Sequence, residues 1–310
     1  MSKIQFIHNL IIHNMKNLIL IIVTLTLVSL LSCSDDSQNT DQIKDSRIKL
    51  KTNNLNISIL LDLSDRINPV KNPNKTLSYY QRDIGYINSI AKAFKQHLIS
   101  KKVRKINDRI QMFVEPEPQN SKINSMLSEL KIEFTKDNIS KKSLSEIETK
   151  YNKISSEIYN TAIVTKEYPG SDIWGFMKYK VNDYCIKDKY RNILIILTDG
   201  YMYHENNVIK GNRSSYLLSR TIKKYRLNKN DWQEKIKKNN YGFIKVNDNL
   251  NNLEVLVLGI NPSKNNPFEF DVIKTYWSNW FKEMGVKKFD IKQADLPSQL
   301  DEFINNFINN

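Results

Sequence analysis

Residues Asn56–Pro69 read NISILLDLSDRINP, an apolar run that stops abruptly at Asp62 and is followed by Ser64, Asp65 and Arg66. A short, nearly continuous apolar segment suits a strand buried on both faces of a parallel sheet. Two later stretches have the same character: RNILIILTDG at 191–200 and LEVLVLGINP at 253–262. Between them lie segments with helical periodicity. Ile84, Ile87, Ala91, Phe94 and Leu98 predict a helix from about Leu77 to Ser100, and Ile110, Met112 and Val114 alternate as in a second strand. Leu144, Ile147, Tyr151, Ile154 and Ile158 predict a helix within 119–165, with Ser143 and Glu146 spaced as a capping box. Helices are expected near Phe268–Met284 and Ser298–Ile308, with KKFDIKQA at 287–294 between them as a short edge strand. Strands alternating with helices imply an α/β fold, a three-layer sandwich around a mostly parallel central sheet.

The first 32 residues are of a different kind. Leu18–Leu31 is apolar apart from Thr24, Thr26 and Ser29, Lys16 precedes it, and no acidic residue occurs before Asp35. That is the pattern of an export signal, short for a membrane span. Its end, Leu30-Leu31-Ser32-Cys33, resembles the lipobox of bacterial lipoproteins, which implies a lipidated Cys33 as the first mature residue. Asp35-Asp36 resembles the surface-export signal of Bacteroidetes lipoproteins. The expectation is an exported protein held in the envelope by its lipid, at the outer membrane and facing the cell surface. Met15 opens a signal of ordinary length by itself, so translation is expected to start there. Residues 33–53 are polar and without aromatics, a flexible tether to a domain spanning 54–310. Cys33 and Cys185 are the only cysteines. With Cys33 acylated no intramolecular disulfide can form, and Cys185 reads as a small buried side chain.

Two apolar strands end in a carboxylate, Asp62 and Asp199. Ligands of open parallel sheets bind beyond the carboxyl ends of the strands, so both acids fall on the functional edge. Asp62, Ser64 and Asp199 carry the oxygen chemistry that a hard cation prefers. These residues resemble the metal-ion-dependent adhesion site of von Willebrand factor A (vWA) domains. The family's D-x-S-x-S is met by Asp62-Leu63-Ser64-Asp65-Arg66, its T-D-G by Thr198-Asp199-Gly200, and its G-G-T-D-I by Gly170-Ser171-Asp172-Ile173 within PGSDIWGFM. The resemblance implies that Asp62, Ser64, Ser171 and Asp199 hold Mg²⁺ or another divalent cation, with Asp172 in support, and that an acidic group of a protein partner completes the shell.

Arg66 departs from the pattern, standing where the family has a second coordinating serine. Two cations a few ångströms apart repel by ~4 kcal/mol at an effective dielectric of about 20. Either Arg66 points out of the site, or it substitutes for the metal's charge between Asp62 and Asp199 and the site is metal-free.

Segment 201–250 is a second insertion, longer than a usual connection. From Lys210 to Lys245, eleven basic residues face two acidic ones, Asp231 and Glu234, a net of +9 in a chain of net +14. Lys223, Lys224 and Arg226 mark a basic patch toward an anionic envelope polymer or lipid; an exported location disfavours nucleic acid, and a solvated helix face is the plain alternative. His204 and Glu205 follow the second carboxylate, but no activated nucleophile accompanies them. The expected function is therefore a lipid-anchored binding or adhesion-type module rather than an enzyme. The alternative is a metal-dependent envelope hydrolase using the same carboxylates.

Overall fold

The computed structural model describes residues 54–310; the export signal, the start at Met15, the lipidation of Cys33 and the tether lie outside the described residues. The opening stretch forms β1 (Asn54–Leu61), and seven of its eight residues are buried. It lies at the centre of a sheet between β2 (Asn107–Val114) and β4 (Tyr190–Leu197), parallel to both. Beyond β4 come β7 (Leu253–Ile260) and β8 (Lys288–Gln293), also parallel. The order is β3-β2-β1-β4-β7-β8, with β3 (Ile132–Thr135) antiparallel on the far edge.

The pleat of β1 divides the core. Leu55, Ile57, Ile59 and Leu61 point to one face, against α1 (Tyr79–Ser100), α3 (Lys141–Thr165) and α9 (Pro297–Asn309). Leu60 points to the other, against α4 (Ile173–Tyr179), α5 (Val181–Cys185) and α8 (Glu269–Glu283). A sheet with helices on both faces is the three-layer α/β sandwich of the vWA or Rossmann-like kind, and it explains why the central strands are buried on both sides. The polar members of β1 are hydrogen-bonded inside: Asn56 donates to the Cys185 carbonyl and to Asn192, although its Oδ1 has no partner among the described residues, and Ser58 accepts from Gln111. Cys185 is fully buried, and that burial pushes its thiol up to about 12.

Segment 119–165 differs in detail from its sequence reading. It holds α2 (Ser121–Glu129), then β3, then α3. The strand IEFT is only four residues long, too short to stand out from the helical pattern around it, and it pairs antiparallel with β2. The cap of α3 is Ser140 with Ser143, not Ser143 with Glu146: Ser143 N–H donates to Ser140 Oγ at 3.0 Å, and Ser140 N–H to Ser143 Oγ at 2.9 Å. Serine here takes the returning role usually filled by Glu or Gln, so the helix begins one turn earlier. Ile147, Tyr151, Ile158 and Tyr159 of α3 are fully buried, which makes this helix part of its layer.

Segment 201–250 forms α6 (Ser219–Lys224), α7 (Trp232–Asn239) and a two-stranded parallel sheet of β5 (Arg213–Ser214) and β6 (Gly242–Phe243). Met202, Leu217, Ile222, Leu227 and Phe243 enter the second core, where Phe243 packs edge-on against Trp277. The basic residues are thus the outer surface of a packed subunit of the fold. None of the described helices is long and apolar enough to cross a membrane.

Candidate functional site

Leu61 of β1 pairs with Leu197 of β4, so the residues that follow, Asp62 and Thr198-Asp199, emerge side by side at the carboxyl edge of the sheet. The Asp62 N–H extends the ladder by one bond to the Leu197 carbonyl, 3.0 Å. The Asp62 carboxylate is buried and heavily engaged. Oδ1 accepts from the Ser64 N–H at 2.9 Å, and Oδ2 accepts from the Thr198 hydroxyl at 2.9 Å. Arg66 Nε lies 3.3 Å from the same Oδ2, as an ion pair rather than an aligned hydrogen bond.

Arg66 sits on a short 3₁₀ turn, Asp65–Ile67, and is itself only 7% exposed. Its Nη2 donates to Asp83 Oδ2 at 2.6 Å and to the Leu197 carbonyl at 3.0 Å. Asp83, on the buried face of α1, also accepts from the Tyr159 hydroxyl of α3 at 2.9 Å. The arginine's ion pairs therefore run to Asp62 and Asp83, beneath the edge, and not to Asp199. Burial works against its charge, but Asp83 and then Asp62 outweigh that penalty and raise its pKa above the ordinary arginine value.

Asp199 is half-buried and accepts from the Tyr201 N–H at 3.0 Å. Burial foremost, and then the charge of Asp62, push its carboxyl up to about 7, against the opposing pull of Arg66. Three acids and one guanidinium share this corner, so the last acid to ionise carries the unbalanced charge. Gly200 completes the turn at φ +94°, a conformation open to glycine, and its carbonyl accepts from the Trp277 indole at 2.9 Å. Ser171 reaches the edge from the third motif. Its backbone bridges to Tyr203, and the preceding Gly170 bridges to Leu63.

Asp62, Ser64, Ser171 and Asp199 line one cavity of about 550 Å³, with Arg66 and Tyr203 in its wall. Asp172 is directed elsewhere: it caps α4, accepting from the Gly175 N–H at 2.9 Å and from the Asn207 side chain. His204 and Glu205 line a separate cavity of about 450 Å³, where His204 Nδ1 is 3.7 Å from Asp172. Neither lines the cavity of Asp62 and Asp199. Lys223 and Lys224 end α6 and Arg226 follows it, all three exposed.

Counting donors shows what a cation would find. Both Asp62 oxygens already accept hydrogen bonds and Asp65, in the same wall, is paired with Lys71, which leaves one carboxylate with no cation of its own among the described residues, Asp199, beside the hydroxyls of Ser64 and Ser171. A hard divalent cation takes about six oxygen ligands, and here a guanidinium stands 3.3 Å from the nearer carboxylate. Among the described residues no group of three His, Cys, Asp or Glu side chains is placed to hold a metal.

Asp83 and Tyr159 were not singled out from sequence. The available signal was a lone acid on the apolar face of α1, one helical turn before Tyr86 and Ile87.

No protein-family model matches the chain, and no curated protein does. Among solved structures it is similar to an aerotolerance-related membrane protein from Bacteroides fragilis NCTC 9343, carrying multiple mutations to serine. That pair shares 10% identity over 83% of this chain and 98% of the other, with a TM-score of 0.37. It is also similar to the pilus adhesin SpaC from Lactobacillus rhamnosus GG, at 10% identity over 83% of this chain and 30% of the adhesin, TM-score 0.40.

The raised carboxyl of Asp199 makes stability depend on pH. An unfolded aspartate titrates near ~3.9, so between about pH 4 and pH 7 the folded chain binds the extra proton and stability falls as pH rises. Asp199→Asn, which keeps the acceptor for Tyr201, is expected to gain stability at pH 8 relative to pH 5. Water reaches this half-buried group, so the gain is on the order of 1–2 kcal/mol. Urea midpoints of both proteins at the two pH values measure it. An equal difference at both would refute the shift.

Proposed function

We propose that this chain is a lipid-anchored extracytoplasmic binding module, and that its vWA-like site at the carboxyl edge works without a divalent cation. The observation that carries the reading is the engagement of Asp62, hydrogen-bonded on both oxygens by Ser64 and Thr198 and paired with an arginine that Asp83 holds in place. The positive charge that a metal brings in the resembling family is here supplied by the chain.

This substitution changes what the cavity selects. A bound metal attracts an acidic partner group. With Arg66 turned toward Asp62 and Asp83, and Asp65 paired with Lys71, the cavity carboxylate left without an ion pair among the described residues is Asp199, beside the hydroxyls of Ser64 and Ser171. An acidic partner would meet a carboxylate, whereas a lysine, arginine or amide side chain would be hydrogen-bonded by it. The partner is therefore a protein presenting a hydrogen-bond donor. The lipid on Cys33 would hold the module in the envelope, by the resemblance of Leu30–Cys33 to a lipobox.

Capture of partners from envelope extracts by the immobilised domain tests the site. Capture is expected to survive EDTA and to fall about tenfold or more in Asp199→Ala, since one charged hydrogen bond is worth ~1.5–3 kcal/mol. Capture that EDTA abolishes would return the site to metal. The anchor has its own check. Labelled palmitate should enter the wild-type protein in its native host and not Cys33→Ser; an unlabelled, soluble wild type would remove the anchor from the account.

A further inference from the structure

Of the eleven basic residues in segment 210–245, three are held by carboxylates: Arg213 by Glu283, Lys235 by Asp231 and Lys245 by Asp248. Lys210, Arg220 and Lys224 form no ion pair with any described residue, and all three line one cavity of about 630 Å³. Its remaining wall is Tyr203, Val208, Tyr216 and Thr221, with no acidic side chain. We infer that this cavity binds a phosphate monoester carried on a small organic group.

The cavity has a fixed frame. Met202 and Leu217 exchange two backbone hydrogen bonds of 2.9 Å, which set Tyr203 and Tyr216 side by side. Their rings meet edge to face, with centroids 6.1 Å apart and planes at 83°. Arg220 and Lys224 are four residues apart on α6, hence on one side of it, and Thr221 between them is buried. The Arg220 guanidinium lies over the Tyr203 ring, 5.9 Å from its centroid, within the range of a cation–π contact.

Three unpaired cations around one volume suit a group of charge about −1.5 to −2, which is that of a phosphate monoester at neutral pH. A planar guanidinium donates to two of its oxygens at once, and lysines add point charges. The tyrosines, one of them 42% exposed, offer apolar walls for the carbon skeleton. The volume lies within the ~300–1,000 Å³ range of small-molecule sites. This inference is independent of the proposed function, because none of the three cations lines the carboxylate cavity, although Tyr203 borders both.

Isothermal titration of the 54–310 domain within the full chain, using glucose 6-phosphate, inorganic phosphate and glucose, tests the site. Glucose 6-phosphate is expected to bind more tightly than inorganic phosphate, and glucose not to bind. Arg220→Gln and Lys224→Gln should each weaken binding roughly tenfold or more. Lys237→Gln and Lys238→Gln remove the same charge from α7 and should leave affinity within about twofold. These side chains are exposed, and circular dichroism verifies that each variant is folded. A sedimentation arm with vesicles of phosphatidylcholine and phosphatidic acid separates the sources. Binding to them that Arg220→Gln abolishes assigns the phosphate to a lipid headgroup, and binding to glucose 6-phosphate alone assigns it to a soluble ligand. Absence of saturable binding to all phosphate probes, or equal weakening by the α7 variants, would overturn the inference.

Discussion

One guanidinium, shared between Asp62 and Asp83 beneath the carboxyl edge of the sheet, organises the functional end of this molecule. It ties the loop after β1 to α1, and through Asp83 to Tyr159 on α3, while also donating to the last carbonyl of β4. Four elements converge on one side chain. An interaction of this kind is costly to break, because removing either partner leaves a buried charge unopposed. It also decides the electrostatics above it. With Asp62 neutralised from below and hydrogen-bonded on both oxygens, and Asp65 paired with Lys71, Asp199 is left as the cavity acid without an ion pair among the described residues.

The central strands were legible because their physics is local. A strand buried on both faces is apolar along most of its length, and residues 57–61, 193–197 and 255–258 show it, with Ser58 the single polar side chain among them. The carboxylates that end two of them were legible for the same reason, since a sharp change from apolar to acidic marks the edge of a sheet. What escaped depends on distant partners. β3 is a four-residue strand paired antiparallel with β2, and the cap of α3 lies one turn before its apolar pattern begins. Arg66 is expected from the sequence either outside the site or between Asp62 and Asp199, whereas the structure pairs it with Asp62 and with Asp83 on a helix that packs under the loop. No spacing in the sequence connects residues 62, 66, 83 and 159; only the crossing of α1 and α3 beneath the strand ends brings them together.

The basic excess shows the same division. The sequence places it in segment 210–245 and marks Lys223, Lys224 and Arg226 as its patch; of these only Lys224 lines the basic cavity. Folding sorts it: some cations pair with carboxylates, others stay on the solvated surface, and three gather around Tyr203 and Tyr216. The acidic and the basic cavities then share Tyr203, so one end of the molecule presents a hydrogen-bond acceptor site beside an anion site. Such a surface discriminates by charge pattern, which governs specificity and association rate more than it does raw affinity.

Replacing the arginine tests the central claim most directly. Arg66→Ser restores the D-x-S-x-S pattern and leaves Asp62 and Asp83 without their common cation. The account predicts that wild-type protein gains no stability from Mg²⁺ or Mn²⁺, and that Arg66→Ser loses roughly 3–5 kcal/mol in their absence. The variant should recover ~2.7 kcal/mol at a hundredfold excess of metal over its dissociation constant. A wild-type protein that is itself saturably stabilised by Mg²⁺, with the effect lost in Asp199→Ala, would contradict it.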